Sequence, residues 1–247
     1  MNFLNQVMKQ KQKEIKVLEG QYSNNAFFKL FQQKRKRPVL IAEIKPKSPS
    51  GGVLYKGNLV ELAKTYQLAG ADAISVLTDR KFFGGSPELL REIKKIVGVP
   101  LFRKDFIISE AQLIESLLLG ADAVLLIARI LKLSQLKNLI NLSLILGLVP
   151  VVEVFNERDI QAALEAGAQL IGVNSRDIQT LKINEGQALR VLKKIPNNVI
   201  PLFFSGIKTR QDMQRAINAG AKGVLVGTTL LQAKDPVEKI KELKGKL

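Results

Sequence analysis

Four residue types are left to carry whatever acid–base chemistry this chain performs, because two others are missing. The 247 residues include no histidine and no cysteine. Ser-His-Asp triads, Cys-His pairs, histidine zinc sites, disulfides and thiolate chemistry are all excluded. Proton transfer is left to Lys, Glu, Asp or the three tyrosines. The first candidates stand in Val39-Leu40-Ile41-Ala42-Glu43-Ile44-Lys45-Pro46-Lys47-Ser48-Pro49-Ser50-Gly51, where an apolar, β-branched run ends in a carboxylate and two ammonium groups. Side chains alternate along a strand, so Glu43 and Lys45 share one face, and Pro46 and Pro49 stop the ladder. One such segment is simply a solvated strand end, but the same event recurs. Lys104 and Asp105 close another apolar run and Glu153 a third. Asn174 and Arg176 follow, then Ser205-Gly206 and Gly227-Thr228-Thr229. Two lysines and two glutamates in one cavity can divide acid and base roles, because cations and burial lower a lysine's pKa and a nearby carboxylate raises it.

The elements that must bring these residues together announce themselves by a repeated mark. Amphipathic stretches end in Leu68-Ala69-Gly70-Ala71-Asp72, Leu119-Gly120-Ala121-Asp122, Ala166-Gly167-Ala168-Gln169 and Ala219-Gly220-Ala221-Lys222, each followed at once by a strand-like run. Glycine accepts the left-handed conformation that closes a helix, so these are C-cap signals. Strands are predicted at 39–44, 73–77, 100–103, 123–127, 149–154, 170–174, 199–204 and 223–226. Helices are predicted at 59–68, 87–97, 110–119, 133–146, 157–166, 185–194 and 209–219, with a last one after Asp235-Pro236. Eight βα units predict an α/β fold, a (β/α)8 TIM barrel forming a single domain over 1–247, with residues 1–37 as a basic helical extension. A doubly wound sheet fits less well, since no GxGxxG follows the first strand and no second domain remains. Active sites of such barrels lie at the carboxyl ends of the strands, so the residues named above converge on one mouth. Loops after strands seven and eight are expected to grip a phosphate through the amides around Gly206 and Gly227, with a short helix starting near Thr228.

Lys and Arg number 38 against 22 Asp and Glu, for a net charge of +16. Through Pro38 nine Lys or Arg face two Glu, or +7, and Lys34-Arg35-Lys36-Arg37 is the densest cluster. No RRM, KH or zinc-finger signature accompanies this charge, and with 6% aromatic residues there is no stacking platform for single strands. A small anionic substrate profits from the same positive field, so charge alone does not discriminate, and without such a signature a nucleic-acid partner is not expected. The amino terminus has no secretory h-region. The most apolar stretch, 139–152, is broken by Asn141, Ser143, Gly147 and Pro150. The expectation is a soluble cytoplasmic protein with no membrane partner.

The chain resembles the indole-3-glycerol phosphate synthase family of tryptophan biosynthesis over nearly its whole length. The resemblance rests on Ala42-Glu43-Ile44-Lys45-Pro46-Lys47-Ser48-Pro49-Ser50-Gly51, Lys81-Phe82-Phe83-Gly84-Gly85-Ser86, Arg103-Lys104-Asp105-Phe106-Ile107, Val124-Leu125-Leu126-Ile127, Val152-Glu153-Val154 and Ile171-Gly172-Val173-Asn174-Ser175-Arg176-Asp177, in that order. It implies a carboxy-lyase that closes, decarboxylates and dehydrates 1-(2-carboxyphenylamino)-1-deoxyribulose 5-phosphate to indole-3-glycerol phosphate. No metal or organic cofactor is implied, and other tryptophan-pathway enzymes are the implied partners. Lys104 would be the general acid and Glu153 the general base. Lys45 would bind substrate anions and join in dehydration with Glu43, and Asn174 and Arg176 would orient these groups. Phe83, Phe106 and Leu125 would line the anthranilate pocket, while Ser48, Ser205, Gly206, Gly227 and Thr228 would serve the carboxylate and phosphate ends. The basic extension would fold over the barrel mouth.

One position departs from the family pattern. The family ends its seventh strand in Glu-Ser-Gly, and here Phe203-Phe204-Ser205-Gly206 puts Phe204 in place of the carboxylate. An aromatic ring at the mouth would leave Lys45 and Arg176 less compensated, so that Phe204→Glu raises kcat. The alternative is a non-catalytic or altered phosphosugar-binding paralogue.

Overall fold

The computed structural model describes residues 5–10, 24–33, 37–49 and 51–245. Lys34, Arg35 and Lys36 of the basic cluster, Ser50 of the first motif and much of the 1–37 extension lie outside the described residues. Eight strands, β1 (Val39–Ile44), β2 (Ala73–Leu77), β3 (Leu101–Lys104), β4 (Ala123–Ile127), β5 (Val149–Val154), β6 (Leu170–Asn174), β7 (Ile200–Phe204) and β8 (Gly223–Val226), form a closed parallel barrel. Closure is made by β1, which pairs β2 through Ile41↔Ala73 and β8 through Val39↔Gly223. Between the strands run α1 (Leu59–Leu68), α2 (Pro87–Ile96), α3 (Glu110–Leu118), α4 (Leu133–Ile145), α5 (Glu157–Glu165), α6 (Glu185–Leu192) and α7 (Arg210–Asn218), with α8 (Pro236–Lys244) last. The predicted (β/α)8 architecture is therefore the observed one, and element ends shift by only a residue or two. Among the described residues no helix is long and apolar enough to cross a membrane.

Local chemistry explains the punctuation. The Ser86 hydroxyl accepts from Leu89 N at 3.1 Å and Pro87 opens α2, while Asp235 accepts from Val237 N at 2.7 Å ahead of Pro236 in α8. Gly70 and Gly220, just past the ends of α1 and α7, have φ of 95° and 113°, a region costly for any residue with a Cβ.

Strands buried on both faces read as continuous apolar runs, and alternation sorts their side chains into two shells. Leu40, Ile44, Ile74, Val124 and Val152 point out under the helices. Ile41, Phe102, Leu125, Val151, Leu202 and Phe204 fill the barrel.

The described part of the extension next to the barrel has a different place from the one expected. Helix Ala26–Gln32 inserts Phe27 into the interior shell, where its ring lies 5.7 Å from that of Phe102. Asn25 caps this helix by accepting from Phe27 N at 2.8 Å, and its amide donates to Asp122 O at 2.9 Å and Gly147 O at 2.8 Å. Those carbonyls precede β4 and β5, so residues 24–33 close the amino-terminal end of the barrel, opposite the mouth. The physical reason is the open apolar bottom of an eight-stranded barrel, which Phe27 fills.

Candidate active site

Alternation along β1 turns Glu43 inward, and the following Lys45 shares its face, as the spacing predicts. Their side chains form an ion pair of 2.8 Å. From β3 the inward residue is Lys104, whose ammonium stands 3.9 Å from Glu43 and 3.6 Å from Glu153 of β5. Glu43 and Glu153 are buried, only 3% and 2% exposed. Burial alone would push the Glu43 carboxyl up. Lys45, then Lys104, a hydrogen bond from Lys45 and the Arg176 guanidinium outweigh it, so its pKa lies below the usual carboxylate value. The Glu153 Oε2 atom is buried and has no hydrogen-bond partner, which leaves a lone pair unspent beside the Lys104 ammonium.

Lys104 is held by what its neighbour does on the other face of the strand. Arg103 points outward and is buried, donating to Thr78 Oγ1 at 3.0 Å, Ser116 Oγ at 3.0 Å and Asp105 Oδ2 at 3.0 Å, with Glu115 at 2.7 Å. Asp105 also accepts from Thr78 Oγ1 and from Phe106 N. The chain on both sides of Lys104 is thereby pinned.

Every expected site residue borders one continuous cleft at the carboxyl ends of the strands, but the two ends differ in character. One cavity, of about 100 Å³, is bounded by Phe83, Phe106, Leu125 and Ser48 beside Glu43, Lys104, Glu153 and Asn174. The rings of Phe83 and Phe106 lie 6.1 Å apart, and Asp79 holds the Phe83 loop by accepting from Phe82 N at 2.6 Å and Phe83 N at 3.0 Å. The other cavity, of about 480 Å³, shares Glu43, Lys45, Arg176 and Ser205 and continues to Gly206, Gly227 and Thr228. Asn174 Oδ1 accepts from Arg176 N at 3.0 Å, and Arg176 donates to Leu181 O at 2.8 Å. Ser205 and Gly206 have φ of 67° and 84°, a strained conformation for serine that turns the backbone sharply at the rim. Helix Thr228–Leu231 follows β8, as anticipated. Among the described residues no group of three or more metal-ligating side chains comes together.

Sequence reasoning missed several lining residues. Leu77 ends β2, Asp79 follows it, and Ile127 ends β4. Ile178 and Leu181 reach the apolar end from the loop after β6, and Lys208 and Lys239 face the wider cavity. Strand-end position could have found the first three; nothing in the spacing marks the loop residues or Lys239.

Phe204 corrects an expectation. Its side chain is fully buried, packed in the barrel interior with Phe102 at a ring separation of 6.3 Å, and it borders neither cavity. Lys45 is paired with Glu43, and the Glu43 carboxylate also feels the Arg176 guanidinium, so both cations have a counter-charge other than position 204. The basis for expecting Phe204→Glu to raise kcat is lost.

Gly227 also changes meaning. A Cβ there would stand 2.1 Å from Glu43 Oε2. Gly227→Ala is thus expected to displace the Glu43 carboxylate and lower kcat, by about 10- to 100-fold for a shift near 1 Å, before any phosphate is obstructed. Steady-state kinetics showing a change in KM alone would contradict this.

A family model described as indole-3-glycerol phosphate synthase matches residues 3–243. The indole-3-glycerol phosphate synthase of Thermoanaerobacter sp. (strain X514) is 41% identical over 236 residues, covering 94% of this chain and 89% of that protein. The one from Aquifex aeolicus (strain VF5) is 43% identical over 208 residues, covering 83% and 81%. Among solved structures, 3-hexulose-6-phosphate synthase from Salmonella typhimurium aligns with a TM-score of 0.68 at 17% identity, over 84% of this chain and 97% of that one, a likeness that shows the fold alone. With a family model spanning nearly all residues and relatives above 40% identity, the chain belongs to the indole-3-glycerol phosphate synthase family.

Proposed function

We propose that the cleft closes the indole ring of 1-(2-carboxyphenylamino)-1-deoxyribulose 5-phosphate with loss of carbon dioxide and then water, using Lys104 as general acid and Glu153 as general base. The observation that carries this division is the geometry of that pair. Glu153 Oε2 is buried without a hydrogen bond, and the Lys104 ammonium lies 3.6 Å away, so an acid and a base stand side by side with their capacities unspent. In this reading the substrate lies along the cleft with its aromatic ring between Phe83, Phe106 and Leu125 and its phosphate at Ser205, Gly206, Gly227 and Thr228. Ser48 and Lys45 meet the carboxylate. Lys104 delivers a proton to the ribulose carbonyl oxygen as the ring carbon attacks the carbonyl carbon. Carbon dioxide leaves and the electron pair of the broken C–C bond restores the aromatic ring, after which Glu153 removes a proton from the carbon bonded to nitrogen and Lys45, held by Glu43, assists departure of the neighbouring hydroxyl as water. Asn174 and Arg176 keep the mouth in register through their own hydrogen bond. The two cationic residues Lys208 and Lys239 add positive field at the phosphate end.

The same reading takes the whole chain as one catalytic unit in the cytoplasm. Other enzymes handling its substrate and product are its natural partners, and the barrel itself needs no cofactor for these proton transfers. Fluorescence detection of indole-3-glycerol phosphate formed by the purified protein is the direct test. Tight binding of the substrate with no product over hours would replace the enzyme with a phosphosugar-binding barrel.

A further inference from the structure

The Lys104 ammonium stands between two buried carboxylates, and a third group also faces it. Lys45, free to choose, closes to 2.8 Å on Glu43. Lys104 has two buried carboxylates at hand and closes on neither, standing 3.9 Å from one and 3.6 Å from the other, beyond direct hydrogen bonding. A third partner adds its pull: the ring of Phe204, whose centroid lies 5.8 Å from the ammonium, within the range at which a cation is drawn to an aromatic face. That ring is fully buried, so the attraction is little screened by water. Its place is prepared by Gly172 on the adjacent strand: a Cβ at 172 would stand 2.3 Å from Phe204 Cε2, so the ring occupies space that only glycine leaves open.

We infer that Phe204 is a positioning residue, its ring face holding the Lys104 ammonium off Glu43 and Glu153 so that acid and base stay separate. The functional consequence rests on the proposed roles of Lys104 and Glu153. The hold itself does not. Were the ring replaced by an aliphatic side chain, the ammonium would collapse onto Glu153, and an ion pair in hydrogen-bond contact would spend both groups on each other.

Fluorination of the ring separates electronics from packing, since it drains the negative face while nearly keeping the shape. Site-specific incorporation of mono-, di- and trifluorophenylalanine at 204 in the full chain should lower kcat stepwise. The total expected loss is about 3- to 10-fold, within the range a desolvated cation–ring contact allows, with KM and Tm nearly unchanged. Alongside, the rate at which an amine-acylating reagent labels Lys104, read by peptide mass spectrometry at fixed pH, should change in the same order. In a crystal structure of Phe204→Leu the Lys104–Glu153 distance should shorten to hydrogen-bond range, and Gly172→Ala, which pushes the ring aside, should act in the same direction. Flat labelling across the fluorinated series overturns the inference, whatever kcat does, as does an unmoved ammonium in Phe204→Leu. Graded labelling with constant kcat upholds the hold and instead overturns the assignment of Lys104 as the acid.

Discussion

Lys104→Ala is expected to reduce kcat by about 10²- to 10⁴-fold, the usual worth of a positioned general acid, with little change in substrate affinity. The side chain projects inward from β3 between Glu43 and Glu153, so its removal leaves the Arg103 network on the opposite face untouched. Single-turnover kinetics combined with substrate binding by calorimetry would separate the two quantities. A kcat within a factor of about two of the parent would remove Lys104 from the mechanism. Two buried carboxylates also lose their shared cation, so some loss of thermal stability should accompany the loss of rate.

The second large effect is expected at the other end of the barrel. Phe27→Ala should cost about 3–5 kcal/mol in unfolding free energy, because a fully buried ring is removed from contact with Phe102 and Phe31 and the site has little freedom to collapse. Urea denaturation measures this directly, while kcat per folded molecule should stay near the parent value. A shift below about 1 kcal/mol would mean that residues 24–33 do not seal the interior. The same contacts alter how a truncation should be read. Deleting 1–37 to test for a basic lid would also remove Asn25 and Phe27, so weakened substrate binding would mix an opened bottom with any effect at the mouth.

How far residues alone disclosed this structure depends on which kind of signal each element carried. Strand and helix positions were legible because periodicity and the glycines after α1, α3, α5 and α7 report local backbone requirements. Convergence of Glu43, Lys104 and Glu153 followed from topology, since parallel strands of a barrel present their carboxyl ends together. Two things escaped. Alternation places Phe204 inward but says nothing of how deep its ring lies, which is decided by the absent side chain of Gly172 on a neighbouring strand. The seat of Phe27 depends on partners far along the chain, and charge drew attention to the basic extension while its apolar residues did the packing.

Asn25 joins residues that are made at very different times. Its amide spans to the carbonyl of Asp122, 97 positions later, and to that of Gly147, 122 positions later. During synthesis from the amino terminus, at about 5–20 residues per second, this segment must wait several seconds for its acceptors, and β1 must wait longer still for β8. Throughout that interval an apolar helix and an unpaired strand edge coexist on the nascent chain. The protein's exposure to misassembly is thus set by the distance between its first and last elements.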